Sequence, residues 1–322
     1  MQTGIQQTNI QLSLFPKMEK EADDNAVKLK NGKIEIRDFG VRPGDLWMLG
    51  NGHILACCSS CDLETVDYVM NGIHAPLLFT SPPYADIRDY KGCDISIDYI
   101  KRFIACFKKY ADLQCVNLGF KMRNGSIVPY WNTYIDYALE NGLRFLGMNV
   151  WNKMMSGGVG NQLNYTFPLE HEFILVFGEK FVEINRTVQK KTCSINMKNI
   201  RAARQKDGRL RISTRGDTSN PFKKMGSVQS ILPNNGSLSR HLHPATFPIN
   251  LPMEYINACS NFGDYVIEPF AGSGTTILAC EKLERNCVAF EISAEYCNVI
   301  LNLFIHETGK SVKRIASMDL SA

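Results

Sequence analysis

The chain has 322 residues, of which 44% are hydrophobic and 21% are charged, and its formal net charge is +4. This composition is typical of a folded globular protein and excludes a chain that is disordered throughout. The sequence has no run of about 18 apolar residues, so we predict no membrane span. The length fits one large α/β domain with an insertion, or two domains.

The N-terminal stretch MQTGIQQTNIQLSLFPKMEKEADDNA lacks the basic start and apolar centre of a signal peptide, and residues 1–40 are expected to form a polar arm. The eleven cysteines are scattered and odd in number. Without a secretion signal they indicate reduced thiols in a cytoplasmic protein. Cys57, Cys58 and Cys61, with His53 nearby, suggest zinc. Because no second ligand pair follows at a zinc-like spacing, we predict no metal site.

Strands and helices are predicted to alternate along the chain. The predicted strands are 46–49, 53–57, 77–80, 113–118, 143–151, 173–177, 265–267 and 287–290. The predicted helices are 62–70, 97–110, 129–140, 252–260, 275–283 and 294–306. Such alternation indicates a parallel, doubly wound sheet, with residues 311–322 as a loose tail.

An apolar run ends in two prolines at LLFTSPPY, residues 77–84. A short apolar run before a breaker predicts a buried strand. The chain leaves the sheet at Ser81, because Pro82 and Pro83 have no N–H to donate. Proline also restricts the preceding residue, so the exit is stiff and ends in the ring of Tyr84. Ligands of open α/β sheets bind at this carboxyl edge.

The second motif is DYVIEPFAGSGTTILACEKLERNCVAFE, residues 264–291, a strand, a glycine loop, a helix and a strand that ends at Glu291. The two glycines allow close approach of a ligand, and an acid about twenty residues on can hold ribose hydroxyls. Ile277 stands where a dinucleotide fingerprint has its third glycine, which disfavours NAD. The negative charge of Glu268 suits a cationic ligand such as S-adenosylmethionine. The predicted cofactor contacts here are Glu268, Phe270, Ala271, Gly272, Ser273, Gly274, Thr275 and Glu291.

Basic residues are concentrated between positions 186 and 240, where thirteen Lys and Arg accompany two acidic residues. The rest of the chain holds 23 basic and 30 acidic residues. A basic segment on an acidic body is typical of a polyanion-binding site, here nucleic acid. A solvated basic loop is the alternative.

SPPY followed by EPFAGSGTT resembles the amino-methyltransferase family that modifies DNA at exocyclic amines. The catalytic motif precedes the cofactor loop, as in the family's β arrangement. The resemblance covers roughly residues 44–304 and includes segments 117–119, 151–153, 171–173 and 243–248. It implies a doubly wound, Rossmann-like class I methyltransferase sheet that uses S-adenosylmethionine.

The resemblance also implies how the chain is divided. Residues 41–185 form the catalytic half of the methyltransferase domain and residues 241–310 its cofactor-binding half. Between them, residues 186–240 form an inserted target-recognition segment.

By resemblance, Ser81 and the Pro82 carbonyl accept hydrogen bonds from the target amine, and Tyr84 stacks on a base flipped out of the duplex. Asp62 is a candidate acceptor from the adenine of the cofactor, although this chain has Cys61-Asp62 where the family often has Gly-Asp.

Two further pairs have open roles. Thr246 and Phe247 line the methionine end of the cofactor or form a turn. His171 and Glu172 face the target base or are satisfied by the backbone.

The expected contacts to double-stranded DNA are Lys190, Lys191, Arg201, Arg204, Arg209, Arg211, Arg215, Lys223 and Lys224. Within the family, SPPY is associated mainly with N4 of cytosine and DPPY with N6 of adenine, so site-specific N4 methylation is favoured and N6 is the alternative. An RNA or protein-amide methyltransferase, and a DNA-binding protein without catalysis, are rivals. A cognate restriction endonuclease and a homodimer are partners that the resemblance allows.

Overall fold

A computed structural model describes residues 27–30, 33–83, 96–154, 167–189, 200–214, 220–233 and 247–319. The helices in these ranges are α1 (Leu63–Met70), α2 (Ile97–Ile100), α3 (Phe103–Cys106), α4 (Trp131–Glu140), α5 (Asn250–Cys259), α6 (Thr275–Lys282) and α7 (Ala294–Thr308). The strands are β1 (Val27–Lys30), β2 (Lys33–Ile36), β3 (Asp45–Leu49), β4 (His53–Ala56), β5 (Ala75–Thr80), β6 (Ala111–Leu118), β7 (Lys121–Arg123), β8 (Ser126–Val128), β9 (Arg144–Asn152), β10 (His171–Gly178), β11 (Arg186–Gln189), β12 (Ile200–Arg204), β13 (Leu210–Thr214), β14 (Phe222–Lys224), β15 (Val228–Ser230), β16 (Tyr265–Glu268), β17 (Asn286–Phe290) and β18 (Val312–Ser317).

A ten-stranded sheet organises the chain, in the order β15-β9-β10-β6-β5-β16-β17-β4-β3-β18. The strands from β6 to β4 in this order are parallel, whereas β10 runs antiparallel to both β6 and β9. The chain passes from β5 to β6 on one side and from β16 to β17 on the other. Strands β5 and β16 therefore flank a topological switch point, and in open α/β sheets the ligand crevice lies at the carboxyl ends of such strands.

Apolar clusters cover both faces of the sheet. Leu78 on β5 packs with α1, α3 and α4, whereas its neighbours Leu77 and Phe79 pack with α5, α6 and α7. A strand buried on both faces is apolar at every position, which explains the continuous run in the first motif. The prediction of an α/β sheet with helices on both faces is confirmed.

Capping residues set the ends of two helices. Asp62 and Ser293 cap the N-termini of α1 and α7, and each side chain accepts a backbone N–H of the first turn. Asn71 and Gly309 end these helices in the left-handed conformation.

The prediction of a loose tail over residues 311–322 is wrong for most of that range, because β18 pairs antiparallel with β3 along the sheet edge. The expected arm, residues 1–40, includes the paired strands β1 and β2. After them, the Arg37 N–H donates to Asn302 Oδ1 and the Phe39 N–H donates to Asn298 Oδ1, both on α7. Residues 1–26 lie outside the described ranges. The polar N-terminal sequence predicted a loosely attached arm, but the side-chain amides of Asn298 and Asn302 bind it to α7. The predicted tail is held because β3 offers an open sheet edge with which β18 pairs.

Two local predictions also change. The single helix expected over 97–110 is two short helices, α2 and α3, with turns around them. A hairpin of β7 and β8, not predicted from the sequence, turns at Asn124 and Gly125, which both have positive φ. Asn-Gly is a strong signal for this type of turn and was available in the sequence.

Candidate active site

The proline platform stands at the carboxyl end of β5, on the central crevice. Thr80 is completely buried, Ser81 is half-buried and Pro82 is buried. The Thr80 hydroxyl donates to the carboxyl of Glu268, the last residue of β16. This contact holds the two motif strands together at the crevice. Tyr84 lies outside the described residues.

The glycine loop crosses from β16 to α6. The Ala271 N–H donates to the Phe290 carbonyl at 2.8 Å, and the Gly274 N–H to the Ala271 carbonyl at 2.8 Å. Gly274 has φ 79°, and a Cβ there would lie 3.0 Å from Cγ2 of Ile300 on α7. Gly272 also has positive φ. The loop therefore needs glycine for its conformation and, at Gly274, for close packing on α7.

Glu291 closes this loop from the end of β17. Its carboxylate accepts the Gly272 N–H and the Ser293 N–H, each at 2.9 Å. Burial raises the pKa of Glu291 to about 7, although the two backbone N–H groups oppose the shift. The sequence placed this acid beside the glycine loop, and the structure shows it hydrogen-bonded to it.

Glu268 requires a correction. The sequence predicted a negative charge beside the loop, but the side chain is 1% exposed and accepts hydrogen bonds from Thr80, Thr276 and the Phe270 N–H. Burial raises the pKa of Glu268 to about 8, and its protein hydrogen bonds only partly offset this. Through these hydrogen bonds the carboxyl ties β5, β16 and α6 together.

Asp62 and Phe247 occupy positions with evident structural roles. Asp62 accepts the Thr65 N–H at 2.8 Å as the cap of α1, and this hydrogen bond lowers the pKa of its carboxyl. The Phe247 ring packs edge-on against Phe79, with centroids 5.8 Å apart. Thr246 lies outside the described residues.

Three polar side chains join Ser81 at this edge, and the sequence did not predict their connection. Asn117 Nδ2 lies 3.5 Å from Ser81 Oγ and 2.7 Å from Glu172 Oε2. Lys153 Nζ lies 2.6 Å from Glu172 Oε1. The three residues belong to segments already noted for their family resemblance, yet only the strand order brings them together. His171 instead packs its ring against Phe120, with centroids 5.0 Å apart.

The basic segment contributes three features outside the crevice. Strand β11 pairs with β14, β12 pairs with β13, and β15 returns to the main sheet beside β9. Arg204, Arg209 and Arg211 are exposed on the β12–β13 hairpin. Lys223 is exposed, and Lys224 pairs with Glu183 at 2.8 Å. Arg201 lies on β12, and the described residues do not include Lys190, Lys191 and Arg215.

The described residues offer neither a metal site nor a membrane-spanning helix. Within these ranges, no group of three or more His, Cys, Asp and Glu residues is arranged to hold a metal ion. Burial raises the pKa of the Cys58 and Cys61 thiols, so both stay protonated at neutral pH. No helix in the same ranges is long and apolar enough to span a membrane.

Two methyltransferases illustrate the similarity to characterised proteins. Orphan methyltransferase M.BamHII of Bacillus amyloliquefaciens is 28% identical over 239 residues, which are 69% of this chain and 86% of that protein. Type II methyltransferase M.HpaI of Haemophilus parainfluenzae is 29% identical over 228 residues, 68% of this chain and 65% of that protein.

Solved structures show the same fold at low identity. PvuII DNA methyltransferase (cytosine-N4-specific) superposes with a TM-score of 0.54 at 16% identity, covering 82% of this chain and 90% of that one. The crystal structure of the M1.HpyAVI–SAM complex superposes with a TM-score of 0.51 at 19% identity, covering 77% of this chain and 98% of that one.

A family model decides the classification. The model of the N6/N4 methyltransferases, described as DNA methylase, matches residues 75–302. This range runs from the start of β5 into α7 and includes both motifs and the basic segment. With more than half of its length matched, the chain belongs to the N6/N4 DNA methylase family.

Proposed function

We propose that this protein is a site-specific DNA methyltransferase that transfers a methyl group from S-adenosylmethionine to N4 of cytosine in double-stranded DNA. The observation that carries the proposal is the contact between Thr80 and Glu268, because it holds the proline platform next to the glycine loop. A platform for an amine and a loop for a nucleoside are then neighbours at one switch point.

The cofactor site is formed by the glycine loop and Glu291. The family depends on S-adenosylmethionine, which supplies an electrophilic methyl group on a sulfonium. Glu291 accepts hydrogen bonds from the two ribose hydroxyls, since its carboxylate already lies against the loop. Phe270, Ala271, Ser273 and Thr275 surround the nucleoside. Glu268 acts indirectly, by holding the glycine loop. Asp62 is proposed to contact the adenine of the cofactor, and Thr246 is proposed to contact its methionine end.

The target amine is a poor nucleophile because its lone pair is delocalised into the base. Ser81 Oγ and the Pro82 carbonyl oxygen accept the two N–H groups, which directs the nitrogen lone pair toward the methyl carbon. The cofactor, when bound, would supply the methyl group and keep the electron pair of the bond that it loses. The amine nitrogen would then carry positive charge until it releases one N–H proton to solvent. The two oxygens stabilise that charge, so position and electrostatics supply the catalysis.

DNA binding is assigned to the basic segment. Exposed Arg204, Arg209 and Arg211 are suited to phosphate contacts that position the duplex. Tyr84 is proposed to stack on the flipped base, which offsets part of the unstacking cost of a few kcal/mol. A cognate restriction endonuclease and a homodimer stay predictions.

Nucleoside mass spectrometry tests the proposal. Purified protein, S-adenosylmethionine and unmethylated genomic DNA are incubated, and the DNA is digested to nucleosides. We expect N4-methylcytosine, and N6-methyladenine would retain the mechanism but overturn the target base. The absence of any methylated base, with wild-type protein that binds the cofactor, would contradict the proposed activity on DNA.

A further inference from the structure

A buried ion pair lies next to the proposed catalytic serine. Lys153 follows the end of β9 and Glu172 lies near the start of β10, and the two side chains are 10% and 13% exposed. Because β10 runs antiparallel to β6 and β9, its beginning meets their ends at the crevice edge. Asn117, near the end of β6, is 1% exposed and lies between this pair and Ser81.

Stability alone is a weak reason for such a pair. Removing two charges from water carries a large desolvation penalty, and apolar replacements are often equally stable. A role in positioning explains the arrangement better if the pair orients a group that matters for the reaction.

The carboxylate of Glu172 fixes the side-chain amide of Asn117. A carboxylate only accepts hydrogen bonds, so it selects the orientation with Asn117 Nδ2 toward it. The same Nδ2 then faces Ser81 Oγ at 3.5 Å. Among the residues that the structure describes, the amide oxygen of Asn117 is buried without a hydrogen-bond partner, which is unfavourable. The Asn117 amide therefore keeps Nδ2 toward Glu172 and Ser81 even though its own oxygen gains no hydrogen bond in this orientation.

We infer that Glu172 and Lys153 are positioning residues for methyl transfer, acting through Asn117 on Ser81. The Asn117 N–H group lies on one side of Ser81 Oγ and so helps to fix the position of the hydroxyl beside the target amine. Lys153 holds the carboxylate in place and lies 4.9 Å from the centre of the Trp151 ring. This inference rests on the proposed role of Ser81.

The first test compares wild type with Glu172→Gln under saturating DNA and cofactor. An amide at position 172 can donate as well as accept, so it no longer selects one orientation of Asn117. We expect kcat to fall about 10- to 100-fold, as for a displaced reacting group, with the Kd for S-adenosylmethionine within twofold of wild type. An unchanged kcat would overturn the inference.

Glu281→Gln is the matched control, because Glu281 also makes a partly buried ion pair, with His53 and Lys310, away from the crevice. We expect it to lower the Tm by a comparable amount and to leave kcat unchanged. A similar fall in kcat for both variants would indicate general destabilisation and contradict the inference.

A double variant separates positioning from the penalty of an unpaired buried charge. Lys153→Met with Glu172→Gln removes both charges together. We expect its kcat to stay low, because the carboxylate that orients Asn117 is gone, whereas recovery to within twofold of wild type would overturn the inference. Lys153→Arg, which keeps the ion pair, is expected to keep kcat within about threefold. If wild type methylates no DNA, the proposed function has failed instead.

Discussion

The crevice and the basic segment differ in how their functional groups are held. At the crevice, the carboxyls of Glu268 and Glu291 are buried, and protein groups occupy defined positions around them. On the β12–β13 hairpin, Arg209 and Arg211 are exposed on a two-stranded ribbon outside the main sheet. Chemistry on a chosen atom needs fixed groups, whereas attraction to a phosphate backbone needs charge and reach. Mutations should therefore affect the rate of methyl transfer or cofactor binding at the first region and DNA affinity at the second.

Ser81→Ala is expected to have the largest effect. Loss of one acceptor of the target amine should lower kcat about 100- to 1,000-fold, the usual cost of removing one electrostatic partner of a transition state. Cofactor and DNA affinities should stay within twofold, as measured by calorimetry and by fluorescence anisotropy. Ser126→Ala on the exposed hairpin strand β8 is the control. An active Ser81→Ala enzyme would place the amine acceptor elsewhere.

Glu291→Gln tests the cofactor side of the crevice. An amide replaces a charged acceptor of two ribose hydroxyls, so the Kd for S-adenosylmethionine should rise about 100-fold, from hydrogen bonds to a charged group worth about 1.5–3 kcal/mol each. Calorimetry measures the change, and DNA affinity should not alter. Glu295→Gln, exposed in the first turn of α7, is the control.

The pH dependence of cofactor binding follows from the same residue. Hydroxyl donors bind the ionised carboxylate, and the pKa of Glu291 is raised to about 7 by burial. Below that pH the apparent Kd should rise about tenfold per pH unit, and above pH 8 it should be constant. A raised carboxyl pKa favours folding at low pH, and this contribution is lost as the pH rises from about 4.5 through 7. Through this group the fold is therefore more stable at pH 6 than at pH 8, so weaker cofactor binding at pH 6 would not reflect unfolding. A flat profile for wild type would refute the assignment of Glu291.

The smallest effect is expected in the basic segment. Arg209→Ala with Arg211→Ala should weaken DNA binding a few-fold and reduce the salt slope by about 0.9 for each phosphate that the protein no longer neutralises. The kcat at saturating DNA should not change. Lys313→Ala, exposed on β18 at the opposite edge of the sheet, is the control. An unchanged dependence of DNA affinity on salt concentration would show that these two arginines do not contact phosphates.

The two motifs were predictable because their signals are local. Proline ends β5 at Ser81, and glycine marks the turn after Glu268, so the strand ends and their shared edge follow from the sequence. The linkage of Asn117 to Glu172 was not predictable, because these residues are 55 positions apart and meet only through the antiparallel insertion of β10.

Burial was the other source of error. Glu268 looks like an exposed charge in the sequence, and only packing shows that Thr80 and Thr276 surround it. Strand β18 was missed for a different reason, because its sequence VKRIAS does not alternate apolar and polar residues in the way that predicts an edge strand.

Strand β15 has a consequence for grafting the basic segment, which we propose recognises the target, between related enzymes. The basic segment is anchored at both ends: Asn185 donates its N–H to the Ala258 carbonyl at 2.7 Å, and β15 pairs with β9. Trp151 also donates to the Ile231 carbonyl at 2.8 Å, just past β15. A modular graft should therefore replace residues 186–224 and retain 225–233, because the retained strand completes the scaffold that carries the catalytic edge.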